Sequence, residues 1–135
     1  MKIVRRIGLS VVLLVLAACG SDSIGTPEGI ATFVVQVGSE QFSIRVVDQV
    51  TYDQLNARRQ SATEGVILGR VAKGNGGFNG PWSWHLVPST IEVPDASIEL
   101  CDGTPSYLEE HRDEWISSVR NYCPWGAKVV SVQDE

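Results

Sequence analysis

Thr32-Phe33-Val34-Val35-Gln36-Val37-Gly38-Ser39-Glu40-Gln41-Phe42-Ser43-Ile44-Arg45-Val46 is the stretch on which the fold turns. Phe33, Val35 and Val37 fall on one side of an extended chain. After Gly38-Ser39-Glu40, Phe42, Ile44 and Val46 alternate with Gln41, Ser43 and Arg45. Period-two alternation on both sides of a turn predicts a β-hairpin with one face buried.

The pattern changes directly after the hairpin. Thr51 and Gln54 form a T-x-x-Q capping box, and Val50 is placed to pack on Leu55 as a hydrophobic staple. Tyr52, Leu55, Arg59 and Ala62 mark one face of a short helix ending near Ala62. Strands are then expected over 65–73, 82–87 and 96–100, with a Gly-rich connection over 74–81. Thr104-Pro105 opens a second helix, with the hydroxyl as N-cap and Pro at the first helical position. Leu108, His111, Trp115, Val119 and Tyr122 follow at helical spacing. A last strand covers 128–132. The order β-β-α-β-β-β-α-β implies an α+β domain, with a single mainly antiparallel sheet of about six strands and two helices packed on it.

Upstream of the hairpin the composition is of another kind. Lys2, Arg5 and Arg6 precede a twelve-residue run, Ile7 to Ala18, interrupted only by Gly8 and Ser10. That is too short for a bilayer span, which needs roughly 20 apolar residues. It has the form of a secretory signal. Leu16-Ala17-Ala18-Cys19 resembles the lipobox of bacterial lipoproteins, which implies cleavage after residue 18 and lipidation of Cys19. Gly20 after the Cys, by the same resemblance, favours the outer membrane if the host has one. Residues 19–29 then form the lipidated Cys and a flexible tether. The folded domain is expected over 30–135.

Three Cys are an odd number for an exported protein. With Cys19 occupied by lipid, Cys101 and Cys123 are the one possible intrachain pair, and outside the cytosol a disulfide is the default. No C-x-x-C is present, and Asp102 beside Cys101 disfavours a reactive thiolate.

The whole chain of 135 residues carries 11 basic and 16 acidic residues, a net charge of −5. Apolar residues at 43% and charged residues at 20% exclude a disordered acidic tail and a collagen-like repeat. The charge is uneven: residues 92–135 hold 10 acidic and 3 basic residues. This opposes nucleic acid as a partner, because phosphates would be repelled. It leaves room for a cation or a basic partner, beside the plainer reading of a solvated helix face.

Several chemistries fail on detail. Gly74-Asn75-Gly76-Gly77-Phe78-Asn79-Gly80-Pro81 begins like G-x-G-x-x-G, but its sixth position is Asn79 and the next element is a strand. G-x-S-x-G, H-E-x-x-H and EF-hand spacings do not occur. Two His exclude a multi-His zinc site, and neither metal nor cofactor is expected. Two readings of Trp82-Ser83-Trp84-His85-Leu86 stay open. Trp82 and Trp84 share a strand face, which is either core or, with Asn75, Phe78 and Asn79 of the loop, a binding surface for a small ligand or a protein anchor. His85 is the candidate general base, with Glu99 on the next strand to orient it.

Pro81-Trp82-Ser83-Trp84-His85-Leu86, Ile98-Glu99-Leu100-Cys101-Asp102, Tyr107-Leu108-Glu109 and Tyr122-Cys123-Pro124-Trp125 resemble a small secreted domain family. It occurs in bacteria and near the N-terminus of a slime-mould calmodulin-binding protein. The resemblance covers about residues 30–132. It implies one compact domain with a Cys101–Cys123 bridge and brings no catalytic residues with it. Calmodulin binding does not transfer, because calmodulin targets are basic amphipathic helices and the second helix here is acidic.

These readings converge on a lipid-anchored envelope protein that presents a non-catalytic domain to a small ligand or an envelope protein. The alternatives are a small hydrolase or lyase using His85 with Glu99, and an inhibitor-type lipoprotein acting through loop 74–81.

Overall fold

The computed structural model describes residues 31–135. The signal segment, Cys19 and the tether lie outside the described residues. Among the described residues, no helix is long and apolar enough to cross a membrane.

The hairpin forms as its alternation dictates. β1 (Ala31–Val37) pairs antiparallel with β2 (Glu40–Val46), from Ala31 opposite Val46 to Val37 opposite Glu40. Gly38 has φ 61°, the positive angle that a tight hairpin turn demands of its first central residue. Phe33, Val35, Phe42, Ile44 and Val46 are buried and their neighbours are not.

α1 spans Gln49–Ser61, starting earlier than the capping box implies. Asp48 is the N-cap and its carboxylate accepts from Thr51 N–H at 2.9 Å. Thr51 therefore sits inside the first turn. Val50, displaced from the position before the cap, is 68% exposed, so no staple forms. Leu55 is fully buried, and Tyr52 packs edge-on against Phe33.

β3 (Gly69–Lys73) and β4 (Trp84–Leu86) form an antiparallel pair. Both are shorter than expected, and Gly65 and Leu68 make only single bridges, to Ala127 and Glu92. The strand expected over 96–100 does not form. Glu99–Cys101 is instead a 3-10 turn, and Ile98, Leu100 and Ala96 point outward.

α2 (Pro105–Glu110) opens on Thr104, whose hydroxyl accepts from Tyr107 N–H. The expected single helix is broken at His111, which has φ −112° and ψ 21°. His111 Nδ1 donates to the Tyr107 carbonyl at 2.8 Å, a side-chain bond to the carbonyl four residues back that competes with the helical ladder. A short turn α3 (Arg112–Glu114) and a π-helical turn (Trp115–Val119) follow. Tyr122 then lies in β5 (Asn121–Tyr122), which pairs with β3. β6 (Lys128–Asp134) pairs with β1, and a bulge leaves Val130 opposite no β1 residue.

The domain is α+β, but its strands divide into two three-stranded sheets, β2-β1-β6 and β4-β3-β5. The single sheet fails because no strand forms over 96–100 and because β2 does not bond to β4 through the backbone. Side chains make that join. Asn79 Oδ1 accepts from Ser43 N–H at 2.7 Å, and Trp82 Nε1 donates to the Gln41 carbonyl at 2.8 Å. Loop residues thus occupy two backbone groups on the outer edge of β2, the Ser43 N–H and the Gln41 carbonyl, and hinder its pairing with another chain.

The core lies between the sheets. Phe42, Trp84 and Tyr122 meet with ring centroids 5.5 Å apart in each pairing, and Trp115 closes the cluster. Cys101 and Cys123 are bonded, with Cα atoms 5.1 Å apart, and are packed with Val66.

Candidate functional site

The Trp-bearing strand is interior rather than a binding face. Trp84 is fully buried, and Trp82 is half-buried against the same core. Asn79 is also fully buried: besides accepting from Ser43 it donates from Nδ2 to the Trp84 carbonyl at 2.9 Å. A side chain with both ends committed to backbone is a structural pin, which corrects its reading as a ligand contact. Asn75 is exposed, but its Oδ1 accepts from Gly77 N–H and its carbonyl accepts from Phe78 and Asn79. Phe78 packs edge-on against His85, with centroids 5.7 Å apart. Loop 74–81 is therefore anchored to itself and to β4 through Asn75, Phe78 and Asn79, while Asn75, Gly76, Gly77, Gly80 and Pro81 are exposed.

His85 and Glu99 are not brought together. His85 Nδ1 donates to the Gly74 carbonyl at 2.7 Å, and its ring is covered by Phe78 and crowds Gly76. Glu99 sits on the 3-10 turn beside the disulfide, where the missing strand would have had to carry it toward β4. The pairing of the two rests on a strand that does not exist.

A different place has the shape of a site. A groove of about 540 Å³ runs between the 3-10 turn Glu99–Cys101 and the helical segment 104–119. Tyr107 and His111 stack in it at 4.2 Å, and Tyr107 meets Trp115 edge-on at 5.7 Å. Glu99, Asp102 and Glu114 supply carboxylates around these rings, and Leu100, 67% exposed, supplies an apolar shoulder. Exposed apolar side chains beside a concave aromatic wall are a usual mark of recognition surfaces.

The groove is built by four local devices. The Cys101–Cys123 bond, with Cys123 N–H donating to the Cys101 carbonyl at 2.8 Å, holds the turn against β5. Tyr122 reaches from the core to donate its hydroxyl to the Gly103 carbonyl at 2.7 Å. Burial, and then the charges of Asp102 and Glu40, push the Tyr122 phenol well above the ordinary tyrosine range, so it stays a donor. Gly103 has φ 149°, and a Cβ there would lie 3.3 Å from Tyr107 Cδ1, so glycine lets the ring lie against backbone. Carboxylates then seat α2. Glu40 accepts from Ser106 N–H and hydroxyl, and Glu109 accepts from Ser83 N–H and hydroxyl.

The acidic residues of the last third thus divide by role. Glu109 is a structural acceptor, whereas Glu99 and Glu114 have no side-chain hydrogen bond or ion pair among the described residues. Helical spacing alone puts His111 on a buried stripe and gives Tyr107 no role. Their separation of four, one helical turn before Trp115, is the signal that could have found them, together with the concentration of acidic residues after position 92.

No curated protein and no solved structure matches the chain. A family model does: that of the BP-74 N-terminal domain matches residues 29–135, a span that takes in both sheets, the disulfide and every groove residue. The chain belongs to the BP-74 N-terminal domain family.

Proposed function

We propose that this chain is an envelope lipoprotein whose single domain is a non-catalytic binding module, with the groove beside the disulfide as its recognition face. The signal-like segment and Leu16-Ala17-Ala18-Cys19 support the lipid anchor. The binding reading is carried by one observation. The exposed Leu100 shoulder and the Tyr107–His111 stack share one concavity, whereas the Trp-bearing strand is committed to the core.

The test uses the mature, lipidated protein in its own envelope. A photo-crosslinking amino acid at position 100 captures a discrete partner. The same group at position 50, equally exposed on α1 at 68%, does not. Equal capture at both positions, or none at 100, refutes the recognition face. Cys19→Ala abolishes fatty-acid labelling; retained labelling refutes the anchor.

A further inference from the structure

We propose that the groove recognises a basic peptide segment of a partner protein, seating an arginine or lysine side chain over Tyr107 and His111 with its cationic head among Glu99, Asp102 and Glu114. The inference rests on the groove being the recognition face and adds the chemistry of what enters it.

The charge in the groove is uncompensated. Among the described residues, Glu99 and Glu114 have neither an ion-pair nor a hydrogen-bond partner, and Asp102 uses one oxygen to accept from Trp125 N–H. The described ion pairs are elsewhere, at Arg45–Glu135 and Arg112–Asp113. Carboxylates beside a concave wall focus a negative potential into it, where a cation is attracted more strongly than on a flat surface.

The lining suits a cation carried on an apolar stem. Lysine and arginine lay their methylenes along apolar surface and keep the charged head in a polar place. Arginine in addition pairs with carboxylates through two parallel hydrogen bonds and stacks on aromatic rings. The Tyr107–His111 stack, with Leu100 alongside, offers the apolar track, and the carboxylates stand at its margins.

The form of the groove favours a chain over a compact ion. It is open to solvent and continues past His111 and Glu114 into a second depression lined also by Glu109, Glu110, Arg112 and Asp113. There Arg112 pairs with Asp113, Glu109 is bonded to Ser83, and Glu110 has no side-chain partner among the described residues. A ligand following that line meets the unpaired carboxylates of Glu99, Glu114 and Glu110, spaced to suit an extended segment with alternating basic and apolar side chains.

The experiment titrates the mature protein with a short peptide of alternating arginine and leucine, with its glutamate–leucine counterpart, and with spermidine. Binding is read by calorimetry and by the NMR shifts of the Tyr107 and His111 ring protons. The arginine peptide binds and moves both rings. Glu99→Gln combined with Glu114→Gln raises its Kd about tenfold, and raising the salt weakens binding as screening of surface charge requires. Asp53→Asn combined with Glu64→Gln, the same charge change made away from the groove, leaves Kd within about twofold. Equal weakening by the two double variants reduces the effect to net charge and overturns the proposal. Ring protons that do not shift, or spermidine binding as tightly as the peptide, also overturn it. Capture at position 100 with no binding of the arginine peptide sinks the basic ligand while the recognition face stands; loss of capture at position 100 sinks both.

Discussion

Replacing Asn79 by alanine tests whether loop 74–81 is a pin or a ligand contact. Asn79 is fully buried and bonds at both ends, to Ser43 N–H at 2.7 Å and to the Trp84 carbonyl at 2.9 Å. Truncation leaves a donor on the edge of β2 and an acceptor on β4 without partners. Each such loss costs about 1–3 kcal/mol. Two such losses span about 2–6 kcal/mol, and because Ser43 is half-buried and water can reach its amide in part, the total falls in the lower half, at about 3 kcal/mol. With an unfolding entropy of about 2.1 cal/mol/K per residue over the domain, that lowers Tm by roughly 14 °C. Thermal melts of the oxidised protein by near-UV circular dichroism read this directly through the Phe42–Trp84–Tyr122 cluster. Asn79→Asp provides the control. It retains the acceptor toward Ser43 but turns a carboxylate oxygen toward the Trp84 carbonyl. A buried carboxyl facing a carbonyl has its pKa raised in the folded state, so stability is present at low pH and is lost as pH rises through the carboxylate range. Asn79→Asp therefore approaches the native protein in acid and falls to the alanine variant, or below it, at neutral pH. An Asn79→Ala melt within about 2 °C of the native one would refute the pin. So would an Asn79→Asp variant with no pH dependence beyond the native protein's.

Other substitutions follow the same logic. Ala62 ends α1 in the left-handed region at φ 52°, with Thr63 N–H and its own N–H returning to Arg58 and Arg59 carbonyls; Ala62→Gly stabilises by about 1 kcal/mol in urea unfolding. Replacing Cys101 and Cys123 together by serine lowers stability by about 3 kcal/mol, for a bond joining residues 22 apart, and thiol titration of the unfolded native protein finds neither cysteine free. Because the folded Tyr122 phenol has a raised pKa, its contribution is complete below the ordinary tyrosine value of about 10 and declines as pH rises beyond it; Tyr122→Phe flattens that alkaline decline in pH-dependent melts. Trp84 Nε1 is buried with no hydrogen-bond partner, so Trp84→Phe removes an orphaned donor as well as apolar contact and costs less than about 2 kcal/mol by the same melts.

The parts of the fold legible in the sequence are those with a local cause. The hairpin rests on six alternating apolar positions and a glycine turn, and the start of α2 rests on Thr104-Pro105; both appear where the residues place them. The cysteine pair follows from elimination. The misplaced parts depend on competition between neighbours or on distance in sequence. Asp48 and Thr51 are both good caps three residues apart, and periodicity does not decide between them. Of the stripe Leu108, His111, Trp115, Val119 and Tyr122, three are buried (Leu108, Trp115 and Tyr122) and two are half-buried (His111 and Val119), by way of a broken helix, a π-helical turn and a strand. Residues 96–100 carry alternation enough for a strand but have no partner edge, and the disulfide turns them outward. The site is hidden for the same reason. Glu99 and Tyr107 line one groove because Glu99–Cys101 turns instead of extending, a turn that the bond to Cys123 holds against β5, and no spacing in the sequence measures that.

The bulge at Val130 has a consequence for crowding. The sheet β2-β1-β6 has two margins: the first is closed by Asn79 and Trp82, and the second is β6, exposed along much of its length. An uninterrupted seven-residue margin would offer each molecule a template for lining up with the next. The extra residue breaks the hydrogen-bond rhythm midway and increases the local twist, which disfavours continuation of the ladder by a second copy. The bulge thus works against edge-to-edge growth where copies crowd side by side, and deletion of Val130 is expected to increase concentration-dependent association, read by light scattering.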